Sequence, residues 1–118
     1  MHATQSQNGT IVIVNSDSMG SGDESLGRAL IHKYLFHLAA VENKPDAIIF
    51  YNGAVRLLSA ESQSLESLRQ LEQAGVELMA CTTCLEFFAL IEGRAIGMAT
   101  DMRTIVQRTL GATKTVTI

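Results

Sequence analysis

The most reactive side chains in this sequence are two thiols three positions apart, in Cys81-Thr82-Thr83-Cys84, and the chain has no other cysteine. A pair at this spacing can close a disulfide, hold and pass on a sulfur atom as a persulfide, or supply two of the ligands of a metal. Ahead of it, Val76-Glu77-Leu78-Met79-Ala80 reads as a strand, and after it Leu85-Glu86-Phe87-Phe88 opens a helix. A thiol at a strand-to-helix junction lies near unpaired backbone N–H groups and the positive end of the helix dipole, which favours the thiolate. The plainer alternative is two small buried hydrophobes, since free cysteine is among the most buried residue types. Two thiols with no histidine at ligand spacing are too few for zinc, so a metal would need ligands from a second subunit. Neither a metal nor a cofactor is expected.

The elements that must position the pair follow from the apolar pattern. Ile11-Val12-Ile13-Val14 is a continuous β-branched run of the kind buried on both faces, and it ends in a glycine-containing loop, Asn15 to Glu24. Ser21 or Asp23 can cap the helix that follows, whose apolar positions Leu26, Leu30, Ile31, Tyr34, Leu35, Leu38 and Val41 recur at helical spacing. Lys44-Pro45-Asp46 stops it, and Ala47 to Phe50 is a second short buried strand. A long connection, Tyr51 to Gln63, precedes a helix capped by Ser62 or Ser64 and carrying Leu65, Leu68 and Leu71. After the third strand and the cysteines comes a helix with Leu85, Phe88 and Ile91 on its apolar face, ended by Glu92-Gly93-Arg94. Ala95-Ile96-Gly97-Met98 reads as a weaker strand. Thr100 or Asp101 caps a last helix with Met102, Ile105, Val106 and Leu110 facing in, and Lys114 to Ile118 alternates as an edge strand does.

The order β-α-β-α-β-α-β-α-β implies an α/β fold: a three-layer sandwich whose mostly parallel five-stranded sheet carries helices on both faces. With 118 residues the chain is one domain, read as a flexible N-terminal segment, 1–10, and an α/β domain, 11–118. A hydrophobic fraction of 47% suggests covered sheet faces and a buried subunit interface. A net charge of −3 with no run of like charge gives no sign of nucleic acid or an anionic membrane as partner. No export signal or apolar run of the ~20 residues a spanning helix needs is visible, so the expected location is the cytoplasm. In that reducing setting a Cys-x-x-Cys points to catalysis, redox chemistry or metal binding rather than a permanent staple.

Ligands of such sheets bind outside the carboxyl ends of the strands. Here that edge gathers Asp17, Ser18, Gly20, Gly22 and Asp23 from the first loop, Asn52, Gly53 and Arg56 from the second, and Thr82 and Thr83 between the cysteines. These are the candidate substrate- or partner-binding residues, with Cys81 and Cys84 as the catalytic pair. The first loop matches neither the Walker pattern nor the dinucleotide fingerprint. It reads as a tight turn whose glycines let the backbone pass close to the Cys81 loop. Asp17 and Asp23 suit caps better than catalysts, and Arg56 suits either a solvated role or pairing with a thiolate, persulfide or anionic substrate. His32 and His37, five apart on one helix, face different ways and do not form a metal pair. Phe36 on the polar side of that helix hints at a surface covered by another subunit.

Four stretches taken together resemble the DsrE/DsrF-like family, and within it the C-terminal domain of YedF-type proteins associated with selenium metabolism. They are Asn15 to Gly27, with its Ser-Asp-x-Met-Gly loop; Phe50 to Leu57; Glu77 to Phe88, with Cys-x-Thr-Cys-Leu; and Gly97 to Met102. The resemblance spans about residues 11 to 118. It implies a small oligomeric αβ domain, a dimer or trimer, that handles sulfur as a cysteine persulfide in a relay between proteins. Cys81 matches the position of the sulfur-carrying cysteine, Cys84 the second cysteine of the YedF-like branch, and Thr82 stands where the pattern has glycine. Relatives commonly carry a TusA-like domain with its own cysteine. None precedes this stretch, which implies a donor in trans, or a chain that is a fragment or a stand-alone variant. The expectation is therefore a sulfurtransferase-like carrier with a persulfide on Cys81, charged by or discharged to a TusA-like protein or a cysteine desulfurase. Selenium could follow the same route. The alternatives are a thiol-disulfide redox protein using the same pair, and an oligomeric ligand- or partner-binding module with inert thiols.

Overall fold

The computed structural model describes residues 8–118. Five strands form one sheet in the order β4-β3-β2-β1-β5, built from β1 (Thr10–Val14), β2 (Ala47–Phe50), β3 (Glu77–Cys81), β4 (Met98–Thr100) and β5 (Lys114–Thr117). Every neighbouring pair is parallel. Val14 pairs with Phe50, Phe50 with Ala80, and Cys81 with Thr100, so four strands end together at one edge. The α/β architecture expected from the alternating pattern is the one observed.

The two faces of the sheet are covered differently. On one, Val12, Val14, Ile48, Phe50, Leu78 and Ala80 meet Ile31 and Leu35 of α1 (Glu24–Leu38), Leu68 and Leu71 of α2 (Leu65–Gln73), and Leu85 of α3 (Thr82–Phe87). On the other, Ile11, Ala47, Ile49, Met79 and Cys81 meet only Ile105 of α4 (Met102–Gly111) as a fully buried helical partner. Each fully buried Leu, Ile or Phe contributes roughly 1.5–3 kcal/mol. The first face thus holds most of the core, and Cys81 points to the thinner one.

Of the expected flexible segment 1–10, residues 1–7 lie outside the described residues. Asn8 and Gly9 donate their backbone N–H groups to the Asp46 carboxylate, and Thr10 already belongs to β1. Other details differ from the sequence reading. The fourth strand is Met98–Thr100, not Ala95 to Met98, because Cys81 selects its partner by register with Thr100. The long second connection is not irregular: Asn52–Leu58 is a 3-10 helix with Ala54, Val55, Leu57 and Leu58 buried. The third helix stops at Phe87, before Ile91, because Ala89 turns left-handed at φ 57 and the Leu90 N–H caps back onto the Leu85 carbonyl.

Helix faces are narrower than their periodicity implied. Leu26, Leu30 and Val41 around α1, and Met102, Val106 and Leu110 on α4, are exposed instead of facing in. One buried stripe, Gly27-Ile31-Leu35, is all that α1 needs to dock, and α4 buries only Ile105. Caps follow the sequence more closely. Asp23 accepts from the Leu26 N–H and Asp101 from the Thr104 N–H, whereas Ser64 precedes α2 without a side-chain capping bond. No helix among the described residues is long and apolar enough to cross a membrane.

Candidate functional site

β3 delivers Cys81 at its last position, and α3 starts on the next residue. Cys81 caps that helix in extended conformation, with no side-chain capping bond. Both thiols are free. Cys81 is only 1% exposed and belongs to the apolar cluster under α4. Cys84, one turn into α3, is half-buried and packs against both apolar clusters. Access therefore falls to Cys84, the opposite of what placing the carrier sulfur at Cys81 leads one to expect.

A backbone donor is aimed at Cys84. The Asn52 N–H reaches Cys84 Sγ at 3.0 Å, from a residue held at φ 55. Left-handed backbone disfavours most side chains and is tolerated best by Gly, Asn and Asp, so the residue type suits the position. Burial pushes the Cys84 thiol above its ordinary value of 9.0; the Asn52 N–H pulls it down, and the Cys81 thiol pushes it up again through a hydrogen bond and its charge. The thiolate preference expected at this junction does not hold for Cys84. A helix of six residues supplies only a small dipole to offset burial.

The far end of α3 takes part in a cation clamp. Arg56, near the end of the 3-10 helix, donates to Asp17 through Nε at 3.1 Å and Nη2 at 3.4 Å. The same guanidinium lies 4.7 Å from the ring centroid of Phe88, at the end of α3. Gly53 makes the arrangement possible: a Cβ there would come within 2.9 Å of Arg56 Nη2. Three segments, the β1–α1 loop, the 3-10 helix and α3, are tied by this one side chain. Asp17 is therefore an ion-pair partner rather than a cap. Arg56 is neither fully solvated nor bonded to a cysteine. Beyond the pair, a cavity of about 280 Å³ is lined by Asp17, Arg28, His32, Arg56, Ser59 and Ser62, among others. Neither cysteine lines it.

The first loop reaches the site only in part. Asp17 arrives through Arg56, but Ser16, Ser18, Gly20, Gly22 and Asp23 line a separate polar groove of about 310 Å³. Gly20 and Gly22 have φ values of 79 and 144 with open space where a Cβ would stand, so they serve the turn and not a close approach to the Cys81 loop. The close approach is at Gly27, against which Ser18 and Met19 rest; the Met19 N–H donates to the Gly27 carbonyl and Ser18 Oγ to the Glu24 carbonyl. Thr82 is half-buried and Thr83 exposed in the first turn of α3.

The structure thus brings Cys81, Cys84, Asn52, Gly53, Arg56 and Asp17 together and leaves Ser18, Gly20, Gly22 and Asp23 to one side. Sequence reasoning missed Gly27, whose signal was its place four and eight residues before the buried Ile31 and Leu35. Phe88 packs against the core, as its place on the apolar face of the helix implies, but its second role, as the platform under Arg56, was missed. Among the described residues no group of three or more His, Cys, Asp or Glu side chains is placed to hold a metal.

This sheet, with its cysteines at the end of β3, can be compared with solved proteins. The fold is a shared one. The YchN protein from E. coli superposes with a TM-score of 0.68 at 18% identity, over 96% of this chain and all of that one, 100%. MTH1491 from Methanobacterium thermoautotrophicum, a protein of unknown function, gives 0.65 at 19% over 92% of this chain and 97% of that one. BT1422 from Bacteroides thetaiotaomicron, also of unknown function, gives 0.60 at 19% over 94% and 96%. At these identities the likeness establishes the fold alone. No family model and no curated protein sequence matches the chain.

Proposed function

We propose that the chain is a DsrE-like, sulfurtransferase-like sulfur carrier working through a persulfide on the Cys81/Cys84 pair. The family resemblance makes Cys81 the carrier. The observation that supports the reading most is the pair itself: two free thiols three positions apart at the carboxyl edge of a parallel sheet, one of them accepting a preset backbone N–H. Persulfide transfer needs one thiolate to take the sulfur atom, and a second thiol nearby gives a means to move or release it. The donor or acceptor is a protein of the TusA-like or cysteine desulfurase kind, and selenium is a candidate second cargo. Incubation of the reduced chain with a persulfide-charged desulfurase tests the proposal. One added sulfur, absent from the chain with both cysteines replaced by serine, supports it, and no added sulfur on the intact chain overturns it.

The Cys-x-x-Cys spacing of the two free thiols also favours a second reading, a thiol-disulfide redox protein. That reading predicts turnover of insulin or glutathione disulfides, which a pure carrier lacks. A homo-oligomer, dimer or trimer, fits the exposed apolar stripe Met102, Val106 and Leu110 on α4, with Met98 exposed on the neighbouring edge strand.

A further inference from the structure

We infer that Cys84, not Cys81, is the thiol that first accepts sulfur from outside. The inference rests on the sulfur-carrier reading and assigns the order of events within it. Three observations converge. Cys81 is 1% exposed and sits in the apolar cluster of Ile11, Ala47, Ile49, Met79 and Ile105, so an incoming persulfide meets packed core before it meets this sulfur. Cys84 is partly exposed, so a donor sulfur can reach it without opening the core. The Asn52 N–H, brought in by a left-handed residue, already points at Cys84 Sγ from 3.0 Å, where negative charge develops when that sulfur attacks or leaves.

The chemistry balances without an oxidant or reductant. Cys84 Sγ gives up its proton and attacks the outer sulfur of a donor R–S–SH. The new bond joins Cys84 Sγ to that sulfur, the donor S–S bond breaks, and its electron pair leaves on R–S⁻, which takes the proton from Cys84. Cys81 Sγ then attacks the same outer sulfur. The bond to Cys84 Sγ breaks, the electron pair returns to Cys84, and the proton lost by Cys81 restores its thiol. The sulfur ends in the buried position that the resemblance assigns to the carrier, out of reach of water and stray thiols. A raised Cys84 pKa leaves less thiolate at neutral pH but a more nucleophilic one, so access, not acidity, sets the order.

The test uses the whole reduced chain, cysteine hydropersulfide as donor, and intact mass with peptide mapping. Cys81→Ser should still take up one sulfur, held on Cys84. Cys84→Ser should load at least about tenfold more slowly, the factor that one decade of local opening imposes on Cys81. Cys84→Ser loading at the wild-type rate overturns the order while leaving the carrier reading intact. Failure of the wild type to take up sulfur overturns the carrier reading itself. Competition by iodoacetamide on the wild type keeps the order testable if a variant does not fold. Cys84 should be alkylated first, and earlier alkylation of Cys81 overturns the inference.

Discussion

Gly27→Ala should destabilise this protein, although the same change elsewhere in a helix stabilises. Removing a glycine from a helix gains roughly 0.5–1 kcal/mol. Here the new methyl would fall 2.0 Å from Ser18 Oγ and 3.0 Å from the backbone N and O of Met19. Ser18 can rotate away, at the loss of its 3.0 Å bond to the Glu24 carbonyl, about 0.5–1.5 kcal/mol. Met19 cannot rotate its backbone away, and the loop must shift, which overpacking of this kind costs about 1–3 kcal/mol. The net loss is about 2 kcal/mol, read as a lower urea midpoint at unchanged slope. Gly111→Ala is the control: no atom lies within 4 Å of its Cβ position, and it should raise stability by up to about 1 kcal/mol. In a Ser18→Ala background the cost of Gly27→Ala should shrink but not vanish, because the Met19 contacts remain. If Gly27→Ala raises the midpoint as Gly111→Ala does, the packing of the first loop on α1 is misread.

Other expectations are simpler to state. Ala89→Gly should stabilise by about 1–2 kcal/mol, since φ 57 strains an alanine and suits a glycine at this helix end; urea unfolding measures it, and a lower midpoint contradicts it. The folded pKa of Cys84 is raised, so the folded state keeps this proton to higher pH than the unfolded chain. Its contribution to stability is complete below the ordinary value of 9.0 and is lost as pH rises through the folded value, and Cys84→Ser should flatten that decline. Iodoacetamide labelling of Cys84 should likewise reach half its limiting rate above pH 9.0, and a midpoint below it refutes the burial argument. Val106→Glu, in the exposed stripe of α4, should lower the mass measured by light scattering if that stripe is an interface, and an unchanged assembly argues that another surface is used.

The framework was legible because its signals are long or categorical. A continuous β-branched run gave β1, the short apolar run Ala47 to Phe50 gave β2, Asp23 and Asp101 gave two helix starts, and Pro45 marked the break before β2. What failed was local and depended on partners far along the chain. The start of β4 depends on register with β3, which no window around residue 98 contains. The exposed leucines of α1 match helical spacing as well as the buried ones, and only the narrowness of the docking stripe separates them. At the site, the reactive pair was plain from Cys81 and Cys84, but their unequal burial was not. It arises because Cys81 still belongs to β3, which is buried on both faces, whereas Cys84 lies beyond the strand on α3. The Asp17–Arg56 pair joins residues 39 apart, and the sequence supplied the candidates without the pairing.

The central claim, that this fold carries sulfur on its thiol pair, is tested most directly by the mass of the reduced chain after exposure to a persulfide donor. A gain of one sulfur atom per chain, removed by dithiothreitol and confined to the peptide holding Cys81 and Cys84, is the result the proposal predicts. An unchanged mass, under conditions where the same donor charges a control acceptor thiol, contradicts it.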